Sequence, residues 1–414
     1  MIRFVHTADI HFGMENYGRI DAKTGIHTRL LDFKIALDHC ISYAIEQAVD
    51  LFVFAGDAYK THHPSQTHQK LLMSCFMRLH AARIPVVIVV GNHDHPVSFG
   101  KAHALDIFSQ LPVDTFHVFA KPSAKTIMTK NGPVQIVGMP WPTRNTIALT
   151  HVQRLATHRS ISDYMAHAMA TIIEALAGEL DSQIPAVLVG HVTVSNGIFS
   201  GSEKQAIFGT DPLLLPSQLA IAPFDYVALG HLHRYQNLNP NGHPAVVYSG
   251  SLERIDFGER KEQKGFCMVT IHDKEQTTHK FIPVPTRPFI QVEVTLQSGK
   301  PQTEQLIEAL ARHVLIDAVV KIIYYLPTDM ADRVQVKTIQ DYCKDAHVLA
   351  GIIPIRTTHK RERRALINRD TADTATLLQH YFKEHALYKD RANLLTDKAL
   401  ALLDEITTNE VSAE

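Results

Sequence analysis

Five short apolar runs in this chain are each followed, within a few residues, by side chains of the kind that bind metal ions, and that pairing limits the fold more than any other feature. Asp9-Ile10-His11 follows Ile2–Val5, Gly56-Asp57 follows Leu51–Ala55, and Gly91-Asn92-His93-Asp94 follows Val86–Val90. Gly190-His191 follows Ala186–Val189, and Gly230-His231-Leu232-His233 follows Tyr226–Leu229. Runs rich in Val, Ile and Phe, without polar alternation, read as buried strands. Two more, Val134–Val137 and Val246–Tyr248, extend the series. Between the first two, Leu30, Phe33, Leu37, Cys40, Ile41, Ala44, Ile45 and Ala48 recur at the three-and-four spacing of an amphipathic helix. A second helix is predicted over residues 65–82, opened by Pro64, with Leu71, Leu72, Cys75, Phe76 and Leu79 on one face. Strands alternating with helices predict a layered α/β domain over residues 1–284.

In an open α/β sheet, ligands bind in the crevice beyond the carboxyl ends of the strands. All five polar groups are expected to converge there, with Gly56, Gly91, Gly190 and Gly230 turning the backbone off each strand. Asp, Asn and His without sulfur form an oxygen and nitrogen donor set suited to Mn²⁺, Mg²⁺, iron or Zn²⁺. The ligands exceed what one ion needs. Two ions about 3.5–4 Å apart, sharing a bridging carboxylate, serve in-line displacement at phosphorus. Any one of these fragments alone is a weak signal in a chain with 26 histidines, and His62, His63, His68, His80 and His103 are read as ordinary residues. The ordered set of five, each after a strand, carries the reading.

A length of 414 residues exceeds one ordinary core, so two or three units are expected. With 45% hydrophobic and 20% charged residues, the composition excludes a disordered chain, a collagen-like repeat or a coiled-coil rod. No apolar run reaches the roughly 18–20 residues that span a bilayer, and no basic leader precedes an apolar segment, so the cytoplasm is the expected compartment. Cys40, Cys75, Cys267 and Cys343 are scattered, which argues against a disulfide framework. A net charge of −1 means that any surface for an anionic partner is local. The prolines at 283, 285 and 288 mark a boundary. Beyond it, residues 285–355 read strand, helix, strand, helix, strand: a small α+β capping domain. Residues 356–372 read as a linker; from Arg356 to Arg369 it carries six basic residues (Arg356, Lys360, Arg361, Arg363, Arg364, Arg369) against one acid, Glu362. Two helices close the chain within residues 373–410, near Asp373–Ala386 and Asp397–Ile406.

The motif order D-x-H, G-D, G-N-H-[DE], G-H, G-H-x-H resembles the calcineurin-like metallophosphoesterases. The segments FVHTADIHFG, GHVTVSNG, YVALGHLHRYQ and YSGSLERIDFGERKEQKGF are similar to one branch of that family, the nuclease subunits of SbcCD-type DNA-repair complexes, over about residues 1–285. The resemblance implies a layered sheet sandwich flanked by helices, and two divalent ions, Mn²⁺ foremost. Asp9, His11, Asp57 and His233 would hold one ion and Asp57, Asn92, His191 and His231 the other, with Asp57 as the bridge. A metal-bridged hydroxide would attack the phosphodiester, and His93 would protonate the leaving oxygen. The sequence departs from the pattern at Ala58-Tyr59-Lys60, where relatives often carry a His or an acid at the last position. Lys60 either contacts substrate phosphate or is solvated. The branch further implies 3′→5′ exonuclease action on double-stranded DNA, endonuclease action on single strands or hairpins, and a coiled-coil ABC-type ATPase partner; the apolar faces of the terminal helices are read as binding that partner, docking back onto their own nuclease domain being the alternative. It also implies a homodimer, for which the apolar stripe Leu72, Phe76 and Leu79 is the candidate contact, packing on the sheet being the alternative. Other readings are a phosphatase or small-molecule phosphodiesterase on the same metal core, and a catalytically silent scaffold for DNA ends.

Overall fold

The computed structural model describes residues 1–96, 101–143, 158–201, 211–328, 330–357, 374–384 and 388–411. Two compact units are distinguished, and the first comprises residues 1–324 and 333–354. Among the described residues it is built on two six-stranded sheets. The first runs, edge to edge, β14 (Gln276–Pro283), β13 (Gly265–Asp273), β1 (Ile2–Thr7), β2 (Leu51–Phe54), β3 (Val86–Val89) and β4 (Phe116–Phe119). The second runs β11 (Gln236–Asn237), β12 (Ala245–Tyr248), β10 (Tyr226–Gly230), β7 (Ala186–His191), β6 (Gly132–Met139) and β5 (Ser123–Thr129). Strands β1 to β4 are mutually parallel, as are β6, β7, β10 and β12. β8 (Thr193–Val194) and β9 (Leu213–Leu214) pair separately. Every apolar run read from the sequence lies on one of these strands.

The sheets bury three apolar layers. Phe4, Val53 and Val87 of the first sheet meet Ile136, Val187, Tyr226 and Val247 of the second. The outer face of the first sheet is covered by α1 (Thr28–Glu46) and α2 (Gln66–Ala81), which bring Leu30, Phe33, Leu37, Leu72 and Phe76 against Val5, Phe52 and Phe54. The outer face of the second is covered by α3 (His158–Gly178), through Met165, Met169 and Ile173. This is the layered α/β sandwich that the alternation of strands and helices predicts. His6 crosses the inter-sheet layer, its Nε2 3.1 Å from the Leu229 carbonyl and its Nδ1 3.3 Å from the Tyr226 hydroxyl.

The stripe considered as a dimer contact belongs to the core instead. Leu72, Phe76 and Leu79 are wholly buried, and the Phe76 ring packs 6.2 Å from Phe52, 5.7 Å from Phe54 and 5.3 Å from Phe108. Ser65 caps α2, its side chain accepting from the His68 N–H at 3.3 Å.

After Pro288, β15 (Phe289–Thr295), β16 (Val319–Pro327) and β17 (Val348–Thr357) form a three-stranded sheet, accompanied by α4 (Gln302–Leu310) and α5 (Val336–Tyr342). Phe289 packs on Phe257 and Tyr17 at 5.1 and 5.8 Å, and Arg287 makes a bidentate pair with Asp32 at 2.7 and 2.8 Å. The second unit comprises residues 325–332 and 355–414. It contains α6 (Thr374–Glu384) and α7 (Ala392–Val411), the latter beginning earlier and running further than the apolar spacing near Asp397–Ile406 indicates. Tyr381, Leu394 and Leu402 on these helices are more than half exposed. The basic linker lies outside the described residues from 358 onward, as do the side chains of Leu403 and Ile406. No described helix is long and apolar enough to cross a membrane.

Candidate metal centre

The loops leaving β1, β2, β3 and β10, with the last residue of β7, meet at one end of the sandwich. Left-handed backbone is rare outside glycine and costs about 1–3 kcal/mol per residue, so it persists only where the surroundings enforce it. Four candidate ligands adopt it: Asp9 (φ 54°), His11 (φ 51°), Asp57 (φ 57°) and His231 (φ 104°). The Asp57 carbonyl accepts from the N–H groups of both Ile10 and His11, at 2.9 and 3.1 Å, which locks the first two loops together. Of the four glycines expected to turn the chain, only Gly56 has left-handed backbone, at φ 96°. Gly91 and Gly230 serve close approach instead. A Cβ at Gly91 would lie 2.1 Å from Asp57 Oδ1, and one at Gly230 2.1 Å from the Ala55 carbonyl.

The structure brings together all eight residues singled out from the sequence. His11 Nε2 lies 3.1 Å from His233 Nε2, and one donor atom each of Asp9, His11 and His233 fall within 4.8 Å of one another. Asp9 also accepts from the His231 N–H at 3.0 Å. On the other side, Asn92 Oδ1 lies 3.0 Å from His191 Nε2 and 3.2 Å from His231 Nδ1. Asp57 Oδ2 faces both halves, 3.7 Å from His11 Nε2 and 3.3 Å from His191 Nε2. His93 is the exposed member: its Nε2 stands 4.0 Å from Asp57 Oδ2, and its Nδ1 donates to the Lys60 carbonyl at 2.8 Å. Lys60, read from the sequence through its ammonium, is exposed, and its carbonyl is what orients His93.

Tautomers follow from these partners, because a carbonyl only accepts. His191 Nδ1 donates to the Ala55 carbonyl at 2.7 Å, so its Nε2 faces the cluster. His233 Nδ1 donates to Glu259 Oε1 at 2.9 Å, which turns its Nε2 toward His11. Burial holds His11 well below its ordinary pKa and lowers His231 to about 3, so both rings are neutral. Burial pushes Asp9 up to about 7. For Asp57 burial acts upward too, yet His191, His93 and His11 hold it well below the usual carboxylate range. Burial alone would lower His191, but the Asp57 charge raises it to about 9. Imidazole nitrogens and carboxylate oxygens thus converge in one buried cluster that, among the described residues, includes no sulfur. Such a donor set fits divalent cations, and a bound cation would displace the proton shared by His191 and Asp57.

Two supporting residues, Glu259 and Lys264, were not singled out from the sequence, and Asp94 was named there only as part of its motif, without a role. Asp94 is buried and accepts from the N–H groups of Asp57, Gly91, Ala58 and Tyr59 at 3.0 to 3.3 Å, tying the loop after β2 to the loop after β3. Glu259 and Lys264, both buried, pair at 2.7 Å, and Lys264 Nζ also donates to the His233 carbonyl at 3.0 Å. His233 is therefore gripped at its ring and at its backbone.

The family model for the calcineurin-like phosphoesterases matches residues 2–235. The chain is 26% identical over 294 residues to the SbcD subunit of the nuclease SbcCD of Staphylococcus epidermidis, a match covering 71% of this chain and 72% of that protein. Solved structures to which it is similar include a dimetal phosphatase from Danio rerio, 10% identical with a TM-score of 0.39, covering 68% of this chain and 95% of that one. A purple acid phosphatase from yellow lupin (Lupinus luteus) seeds is 13% identical with a TM-score of 0.40, covering 68% and 51%. All eight clustered residues fall inside the matched stretch, which is more than half of the 414 residues, and the chain belongs to the calcineurin-like phosphoesterase family.

Proposed function

We propose that this protein is the nuclease subunit of an SbcCD-type complex, a DNA phosphodiesterase using two divalent ions, Mn²⁺ foremost. The observation that carries this reading is the position of Asp57 Oδ2, facing both the His11 side and the His191 side of one buried cluster. The similarity to the nuclease subunit, which runs over 294 residues, supports DNA as the substrate. Asp9, His11, Asp57 and His233 would hold one ion and Asp57, Asn92, His191 and His231 the other. Bound there, two cations lower the pKa of water and neutralise charge developing on the phosphate.

The chain's own groups supply the remainder. His93, with Nδ1 fixed on the Lys60 carbonyl, presents Nε2 to the cleft, where in its protonated form it gives a proton to the leaving oxygen. Asp94 keeps Asp57 and the His93 loop in register. The Glu259–Lys264 pair fixes the ring of His233. The reading further includes 3′→5′ exonuclease and single-strand or hairpin endonuclease action, assembly as a homodimer with a coiled-coil ABC-type ATPase, and a cytoplasmic setting. The homodimer would use a surface other than the buried stripe of α2.

Incubating the protein and Mn²⁺ with plasmid, hairpin DNA and a nitrophenyl phosphate ester tests the substrate class. Cleavage of both DNAs is expected. Turnover of the ester with neither DNA cut would instead identify a small-molecule phosphoesterase.

A further inference from the structure

Trp141 is the single tryptophan of the chain, and it stands at the rim of the site. It follows β6, and its N–H donates to the Val90 carbonyl at 2.9 Å, one residue before Gly91-Asn92-His93 begins. Its ring lies 4.9 Å from the His231 ring, tilted by 38°, and 6.1 Å from that of His191. The side chain is nonetheless partly exposed, and among the described residues its indole N–H makes no hydrogen bond. A tryptophan kept for packing alone is normally buried with that N–H satisfied. Here a large flat ring and a free donor are both left at the edge of a phosphate-cleaving cluster.

Resting on the nuclease reading, we propose that Trp141 is the platform on which a nucleobase beside the scissile phosphate stacks, making it a specificity residue for nucleic acid over simple phosphate esters. A phosphate seated against Asn92, His191 and His231 leaves its sugar and base at the rim, where the indole lies. Stacking on an aromatic ring accepts any base, because every base has a π-face. The indole N–H adds a donor for a base edge or a sugar oxygen.

Because the tryptophan is unique, intrinsic fluorescence reports on this position alone. Titrating the full-length, metal-free protein with single-stranded oligothymidylate should quench it, whereas inorganic phosphate should leave it unchanged. Trp141→Ala should weaken oligothymidylate binding about 5- to 150-fold, with Trp141→Phe between it and wild type. In Mn²⁺-supported cleavage the effect should fall on KM more than on kcat. Should the alanine variant fail to fold, the phenylalanine variant and the wild-type titration decide. Oligothymidylate that binds without changing the fluorescence, or variants with wild-type KM, would overturn the stacking role while leaving the nuclease reading in place. A wild-type protein that neither binds nor cleaves DNA would remove both.

Discussion

His93 differs from the seven residues around it in that nearly half of its side chain is exposed, with its ring held by the Lys60 carbonyl. Its proposed work is proton donation. Replacing it with alanine should lower DNA cleavage about 10²- to 10⁴-fold and leave Mn²⁺ binding by calorimetry as in the wild type. Loss of bound metal in that variant would make His93 a ligand. Glu259 makes the opposite case, because it is buried and bonds the ring of His233 from behind the cluster. Glu259→Gln removes the charge that sets the ring's orientation and basicity, so Mn²⁺ affinity should fall about 10- to 100-fold. An unchanged isotherm would refute it. The candidate ligands stood out because each sits in a short motif after a strand. Glu259 did not, because in the run from Phe257 to Gly265 it sits among Arg260, Lys261, Glu262 and Lys264 and reads as part of a solvated charge cluster. Only the tertiary fold reveals that it and Lys264 are buried.

At the scale of elements, strands buried on both faces announced themselves as continuous apolar runs, whereas the edge strands did not. β14 alternates half-buried and exposed residues over Gln-Thr-Thr-His-Lys, and in β5 Ser123, Lys125 and Thr126 are exposed, so neither reads as a core strand. The α2 stripe had the right period for a helix, but periodicity names a face without saying what covers it. The rings of Phe52, Phe54 and Phe108 do so here. The joint between β1 and β10 yields a pH prediction. Burial lowers His6 from its ordinary value of 6.5 to about 3, so the folded protein holds this imidazole neutral while the unfolded chain takes up a proton. Between those values the unfolded state binds more protons, and stability therefore falls as the pH drops from 6.5 toward 3. In urea titrations across that window, His6→Gln should lose less stability than the wild type. Parallel slopes for the two would exclude His6 as a source of the dependence.

For the whole molecule, the prolines at 283, 285 and 288 separate β14 from β15 but lie inside the first compact unit, residues 1–324 and 333–354, and the occupant of the terminal helices was not legible in the sequence. In the second unit, Tyr381, Leu394 and Leu402 are 54%, 56% and 59% exposed, an apolar surface that suits the proposed coiled-coil ATPase. Leu394→Glu and Leu402→Glu in the full-length chain should reduce co-purification of that ATPase by more than about tenfold, since a carboxylate left unpaired in an apolar interface is costly. Equal recovery with both variants would direct the search elsewhere on the molecule. The central claim, a two-ion centre bridged by Asp57 that cuts DNA, is tested most directly by following cleavage of an end-labelled DNA hairpin as Mn²⁺ is added to chelator-treated protein, wild type beside Asp57→Ala. No cleavage before metal, cleavage restored in the wild type as Mn²⁺ rises, and none at any concentration in the variant is the predicted result. Cleavage without metal, or an Asp57→Ala protein that cuts at the wild-type rate, would contradict it.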